Sequence, residues 1–271
     1  MSNPVSKLVM KEYDLKDLCI YSTCSLKYHY KSINKPALPG GADERYIINI
    51  ALKESYIRYF QHKGLSKPIA IGKLMAFFSS RVLHYKSIWT SNQSFKIDDT
   101  KALIDAHSLI VNIENFINPY DELVAVSFPV ERVIGGSMIT DEIDMIVFRH
   151  PPKKESYIEI VYFDINSLQD KPDFTMLLRA NLGTSIVTRE LMGEALKIRP
   201  VVYHIQSGKS LELQLQHEQR LNYQRLIKNL IKGIDNKIYY PRPSYGACEH
   251  CNYFNICSWK INEKDKTTTS N

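Results

Sequence analysis

Residues 123–148 read LVAVSFPVERVIGGSMITDEIDMIVF, and residues 157–166 read YIEIVYFDIN. Both runs are rich in Val, Ile, Tyr and Phe, which suit a pleated, half-buried surface. They predict strands over 123–130, 138–148 and 157–165. On either side the hydrophobic period lengthens. Over 43–60, Ile47, Ile48, Ala51, Leu52, Tyr56 and Tyr59 recur on one helical face. Residues 68–83 and 101–117 predict two more helices. Residues 174–196 return to helical spacing, with Gly183 as a weak point. A further strand follows at 201–205 and a long amphipathic helix at 211–234. Residues 34–41 hold two prolines and two glycines and read as a loop, and Pro151-Pro-Lys-Lys154 reads as a hairpin loop. Helices, then a strand cluster, then helix, strand and helix describe an α/β (α+β) fold, a mixed sheet flanked by helices. One domain is expected over 1–260, with a polar, disordered tail at 261–271.

The chain has 271 residues, 44% hydrophobic and 24% charged, as in an ordinary globular protein with a substantial core. Its formal charge of +6 permits nucleic-acid binding without establishing it. No apolar run approaches the roughly 20 residues that span a membrane. Residues 1–11 lack the apolar centre of a signal peptide. The expectation is a cytoplasmic protein whose thiols stay reduced, so its five cysteines read as metal ligands or core residues.

The C-terminal run is Cys248-Glu-His-Cys251-Asn-Tyr-Phe-Asn-Ile-Cys257. Two cysteines three apart can ligate one centre from a tight turn, and the third can close the same site. A four-thiolate site needs one more donor, and Cys19 and Cys24 are the candidates. Cys19, within Leu18-Cys19-Ile20, reads as core. Thiolates suit both zinc and iron–sulfur clusters, and His250 could stand in for a cysteine at zinc. Structural zinc often pairs two CxxC knuckles and here there is one, so the pattern leans to a cluster.

With the preceding Pro-Arg-Pro-Ser-Tyr-Gly-Ala, this run resembles the C-terminal cluster motif of RecB-like PD-(D/E)XK nucleases, which include the CRISPR-adaptation nucleases and the AddB subunit. In that family a lone N-terminal cysteine before a basic, aromatic run supplies the fourth ligand. Ser22-Thr-Cys24-Ser-Leu-Lys-Tyr-His-Tyr30 is similar, which implies a 4Fe-4S cluster on Cys24, Cys248, Cys251 and Cys257. The resemblance spans about residues 20–260. It implies a restriction-endonuclease-like sheet with an iron–sulfur-stapled helical lobe. Its Gly-x-x-Asp element aligns with Asp141-Glu-Ile-Asp144, with Asp141 in the glycine's place. Its acid-x-Lys element aligns with Asp164-Ile-Asn166, with Asn166 in place of the lysine. The family's helical histidine falls at Asn49, and its Gln-x-x-x-Tyr helix element at Asn181 and Ser185.

The chemistry can be read beside the family. Strand side chains alternate, so Asp164 and Asn166 point the same way, and Asp144 on a neighbouring strand could converge with them. Two carboxylates and a backbone carbonyl can hold Mg²⁺ or Mn²⁺, which would activate water and offset phosphoryl charge. Asn166 cannot act as a base, and Asn49 cannot replace an imidazole. The expectation is a DNA-binding nuclease homologue, weak or inactive as a nuclease, in DNA recombination, replication or a mobile-element assembly, with a protein partner there. The alternatives are an active Mg²⁺-dependent exonuclease, and a zinc-stapled interaction protein. For DNA, as single strands or duplex ends, Lys27 and Lys31 are candidate phosphate contacts and Tyr28 and Tyr30 candidate stacking partners.

Overall fold

Two adjacent strands, Ser137–Arg149 and Tyr157–Asp164, form the spine of the molecule. The structure is a computed structural model that describes residues 10–34, 44–89, 100–164, 174–191, 196–215 and 217–242, together with Cys248, Cys251, Tyr253 and Cys257. The loop at 35–41, Asn166, His250 and the tail 261–271 lie outside the described residues. Strands β1 (Glu12–Asp14), β2 (Glu122–Ile134), β3 (Ser137–Arg149), β4 (Tyr157–Asp164), β5 (Lys197–His204) and β6 (Lys209–Glu212) form one sheet. Its order is β1-β3-β4-β5-β6, with β2 also on β3. β1 with β3 and β4 with β5 are parallel, and the other pairs antiparallel, so the sheet is mixed. Gly135 and Gly136, at φ 64° and 85°, turn β2 into β3. Two consecutive positive φ angles are what a tight hairpin of that twist requires, and glycine supplies them without strain.

Helices cover both faces. On one lie α1 (Leu15–Thr23), α6 (Phe174–Leu191) and α7 (His217–Asp235), packed on Ile139, Ile143, Ile160 and Tyr162. On the other lie α3 (Glu44–Gly64), α4 (Ile71–Trp89) and α5 (Thr100–Val111), packed on Met145, Val147, Val161 and Phe163. In α3 the expected stripe is buried, with Ile47, Ile48, Ala51, Leu52, Tyr56 and Tyr59 joined by Phe60. Asp14 starts α1 by accepting from the Lys16 N–H at 2.7 Å. Cys24, in extended backbone, separates α1 from the short α2 (Ser25–Tyr28), which runs on as a π-helical segment His29–Asn34.

Two expectations change. Residues 211–234 are not one helix: Lys209–Glu212 pair as β6 with β5, and α7 begins at His217. The helix expected over 101–117 ends at Val111, and a single 3₁₀ turn, Ile113–Phe116, follows.

The ladder around β3 places the candidate centre. β2 runs along one edge of β3 from Ser137 to Phe148. The other edge is shared: β1 pairs with Met138 to Thr140, and β4 with Met145 to Arg149. Asp141 to Asp144 fall in the gap between those two ladders.

Candidate functional site

In the gap, Asp144 takes over a bond that a strand neighbour would have made. The β3–β4 ladder stops at Met145 opposite Val161. Beyond it the Phe163 N–H donates to Asp144 Oδ2 at 2.8 Å. Asp144 is 1% exposed. A carboxylate so buried needs a cation or several donors, and Lys53 of α3 provides the cation. Its Nζ lies 2.8 Å from Oδ1 and 2.9 Å from Oδ2, and 3.4 Å from the Phe163 carbonyl oxygen. One turn earlier on the same helix, Asn49 is buried and accepts from Gln206 Nε2 in the turn after β5.

Asp141 is also neutralised, by Arg179 of α6. Arg179 Nε lies 3.0 and 3.2 Å from the two Asp141 oxygens, and Nη2 donates to the Glu142 carbonyl at 2.8 Å. Both side chains are buried. Burial works against the Arg179 charge, but the Asp141 and Asp144 carboxylates outweigh it and hold the guanidinium firmly protonated. The Tyr162 ring lies beneath it at 4.5 Å. In the glycine's place of the resembled motif there is thus one half of a buried ion pair.

Asp164 ends β4, in register with His204 of β5, and its carbonyl accepts from the Ile205 N–H at 3.2 Å. The fold brings Asp144 and Asp164 to the same end of β4, since Asp144 bonds the residue before Asp164. Asn166, the third member of the expected centre, lies outside the described residues. On α6, Asn181 is buried with its Nδ2 unpartnered among the described residues, and Ser185 accepts from Arg132 Nη1 at 2.5 Å.

The basic, aromatic run is differently employed. Tyr28 is buried, stacked on Tyr239 at 6.3 Å and edge-on to Tyr21 at 5.6 Å. Its ring is therefore packed into the helical layer and is not presented to a base. Lys31 pairs with Asp17 at 2.7 Å on the surface. Tyr30 lies 5.6 Å from Tyr253. Burial pushes its hydroxyl pKa up, and the neighbouring Cys257 and Cys24 add to that. Lys27 is half-buried.

Cys24 and Cys257, 233 residues apart, thus flank one tyrosine. Cys24, Cys248, Cys251 and Cys257 are free thiols and partly exposed, whereas Cys19 is 2% exposed in the core. The Cys251 N–H bonds the Cys248 carbonyl at 3.1 Å, a tight turn of the expected kind. The donors are of the type a cluster needs, but among the described residues no three Cys, His or acidic side chains are assembled closely enough to hold a metal.

Three features escape the sequence reading. Lys53 carries no motif; its one signal is its place a turn after Asn49. Arg179 sits in the apolar run Met176-Leu-Leu-Arg-Ala, where a lone buried cation signals a buried acid elsewhere. The third is the outer face of α7. From Gln219 to Ile234 the chain holds Arg220, Arg225, Lys228 and Lys232 and no acid. Arg225, Lys228 and Lys232 are exposed and enter no ion pair among the described residues. The Lys228 stem rests on Gly135 of the hairpin.

Among the described residues no helix is long and apolar enough to cross a membrane. No protein-family model matches the chain, and no curated protein matches it. A solved structure described as "Crystal structure of SSO0001" aligns over 95% of this chain and 90% of its own, with 16% identity and a TM-score of 0.41. So distant a likeness says nothing of this chain's activity.

Proposed function

We propose that this chain is a RecB-like PD-(D/E)XK nuclease homologue that binds DNA and cleaves it weakly or not at all, within a recombination, replication or mobile-element assembly. The observation that carries the catalytic part is charge balance. Asp144 is matched by Lys53 and Asp141 by Arg179. A divalent cation needs uncompensated oxygen ligands, and these two carboxylates are already compensated by fixed cations. The basic face of α7 supports the DNA part, because cations that enter no ion pair among the described residues gain most from displacing the counterions of a phosphate backbone.

A second reading has one observation in its favour. Lys53 brings an ammonium into the centre, the charge that Asn166 cannot supply, so an active Mg²⁺-dependent nuclease could use it in place of the missing lysine.

The test is a binding and cleavage assay with labelled single-stranded and duplex-end DNA. Binding is expected to weaken steeply with salt. Reversal of Arg225, Lys228 and Lys232 to Glu should lower affinity for all sequences alike, each flattening the salt slope by about 1. Absence of binding at low salt would overturn the DNA reading. Brisk cleavage with Mg²⁺ that Asp144→Ala abolishes would install the second reading.

A further inference from the structure

Lysine ammonium has three N–H donors and no acceptor. At Lys53 the ammonium lies against three oxygens: Asp144 Oδ1 at 2.8 Å, Asp144 Oδ2 at 2.9 Å and the Phe163 carbonyl at 3.4 Å. Two carboxylate oxygens and a strand carbonyl are also the hard donors that Mg²⁺ or Mn²⁺ selects. The ammonium and such a metal ion would therefore claim the same atoms. We propose that Lys53 is a resident counter-cation that fills the divalent-metal seat at Asp144, so that metal enters only by displacing it. This deepens the reading given above and rests on it.

The competition is unequal. Lys53 is tethered, and α3 is fixed in place by the burial of Leu52, Ser55 and Tyr56 around it. A tethered group competes at an effective concentration on the order of millimolar or more, with no encounter needed. Mg²⁺ arrives from solution and dehydrates reluctantly. Nor can Asp141 offer a substitute seat on β3, because Arg179 holds both its oxygens. Asp144 cannot turn away to meet a metal elsewhere, since the Phe163 N–H fixes Oδ2 from the strand side. Removal of the ammonium leaves a buried carboxylate whose one hydrogen bond among the described residues is from a backbone N–H, and whose remaining cationic neighbour, Arg179, is engaged by Asp141, a site that calls for another cation.

Mn²⁺ binding, read by loss of the free-ion paramagnetic resonance signal, tests this without reference to cleavage. Lys53→Met should bind Mn²⁺ at least about ten times more tightly than the natural protein, and Lys53→Arg, which keeps a cation, should not. Adding Asp144→Asn to Lys53→Met should remove the gained site. If Lys53→Met fails to fold, Lys53→Gln carries the comparison, since its amide can still donate to Asp144 while bringing no charge. Equal Mn²⁺ affinity in the natural protein and the neutral variants overturns the proposal, and so does a gained site that survives Asp144→Asn. DNA affinity of the natural protein without metal is measured separately, so failure of the DNA reading and failure of this one are told apart.

Discussion

At Gly183 α6 comes close to the sheet. A Cβ there would lie 2.2 Å from the Tyr162 hydroxyl oxygen and 3.2 Å from Ile143 Cδ1. Two effects compete in Gly183→Ala. Helix propensity favours alanine by about 1 kcal/mol. Against it, the hydroxyl belongs to a wholly buried ring and donates to the Arg179 carbonyl at 2.9 Å, so it cannot swing aside cheaply. Overpacking of this kind costs about 1–3 kcal/mol, and the overlap is deep enough to win. Gly183→Ala is therefore expected to lower stability in urea unfolding. Tyr162→Phe removes the obstructing atom, so the double variant should lose less than the two single losses added together. Simple additivity would show that the close approach is not the cause. The sequence marks Gly183 only as a flaw in a helix. Its use becomes legible once Tyr162 is known to face it. Asp141 was similarly opaque: beside a family motif it reads as a lost glycine, and only Arg179, thirty-eight residues on, explains why an acid stands there.

The long strands of the sheet are legible in the sequence, and the short elements are not. β2, β3 and β4 fall within a few residues of the expected strands, because eight or more residues of branched and aromatic side chains leave little ambiguity. β6 has four residues and merges with the apolar spacing of α7, so 211–234 looks like one helix. β1 has three, and only its parallel pairing with β3 identifies it. One junction between elements yields a test with a pH sign. Asp121, just before β2, accepts from Arg149 Nη1 at 2.8 Å, the His150 N–H at 3.0 Å and Asn118 Nδ2 at 3.2 Å. Arg149, at the end of β3, also grips Glu159 of β4. Burial alone would raise the Asp121 pKa, but the Arg149 and His150 donors outweigh it and hold the carboxyl below its usual range. A carboxyl depressed in the folded state stabilises fully above its unfolded value, about 4, and less as pH falls through the folded value. Asp121→Asn should thus cost about 1–3 kcal/mol at neutral pH. The gap between natural protein and variant should narrow in denaturant melts as pH falls below about 4, the unfolded value. A gap that stays constant with pH would show that the charge is not what stabilises the junction.

At the scale of the whole molecule, the segments 11–25 and 235–242 are built into one layer. Tyr21 donates to the Ile238 carbonyl at 2.7 Å, and Arg242 Nη1 to the Ser22 carbonyl at 2.7 Å. Ser25 Oγ both donates to the Tyr240 carbonyl and accepts from the Tyr240 N–H, each at 2.8 Å. Lys11 and Tyr13 both donate to Asp235 at 2.7 Å. The aromatic run after Cys24 belongs to this seam, which is why Tyr28 packs on Tyr239. Cys24 and Cys257 lie beside Tyr30 of this seam, and the number and spacing of the cysteines are legible where their assembly is not, since spacing along a chain does not fix where its distant segments meet. Our reading gives Cys24, Cys248, Cys251 and Cys257 a 4Fe-4S cluster. A link from Cys24 to Cys248 closes a loop of more than two hundred residues, and in the loop-entropy account such a link destabilises the unfolded chain by about 5 kcal/mol. Two consequences follow for protein purified without oxygen. It should be brown with iron bound, and Cys24→Ser or Cys251→Ser should lose the iron and lower the melting temperature by several degrees or more. Cys19→Ser should keep its iron, because that thiol is sealed in the core beside Leu15 and Leu18. Stoichiometric zinc without iron would instead favour a zinc-stapled interaction protein. Loss of iron in Cys19→Ser would move the fourth ligand. Protein that carries neither metal yet melts as high as its cysteine variants would show that the hydrogen bonds from Lys11, Tyr13, Tyr21, Ser25 and Arg242 hold the seam unaided.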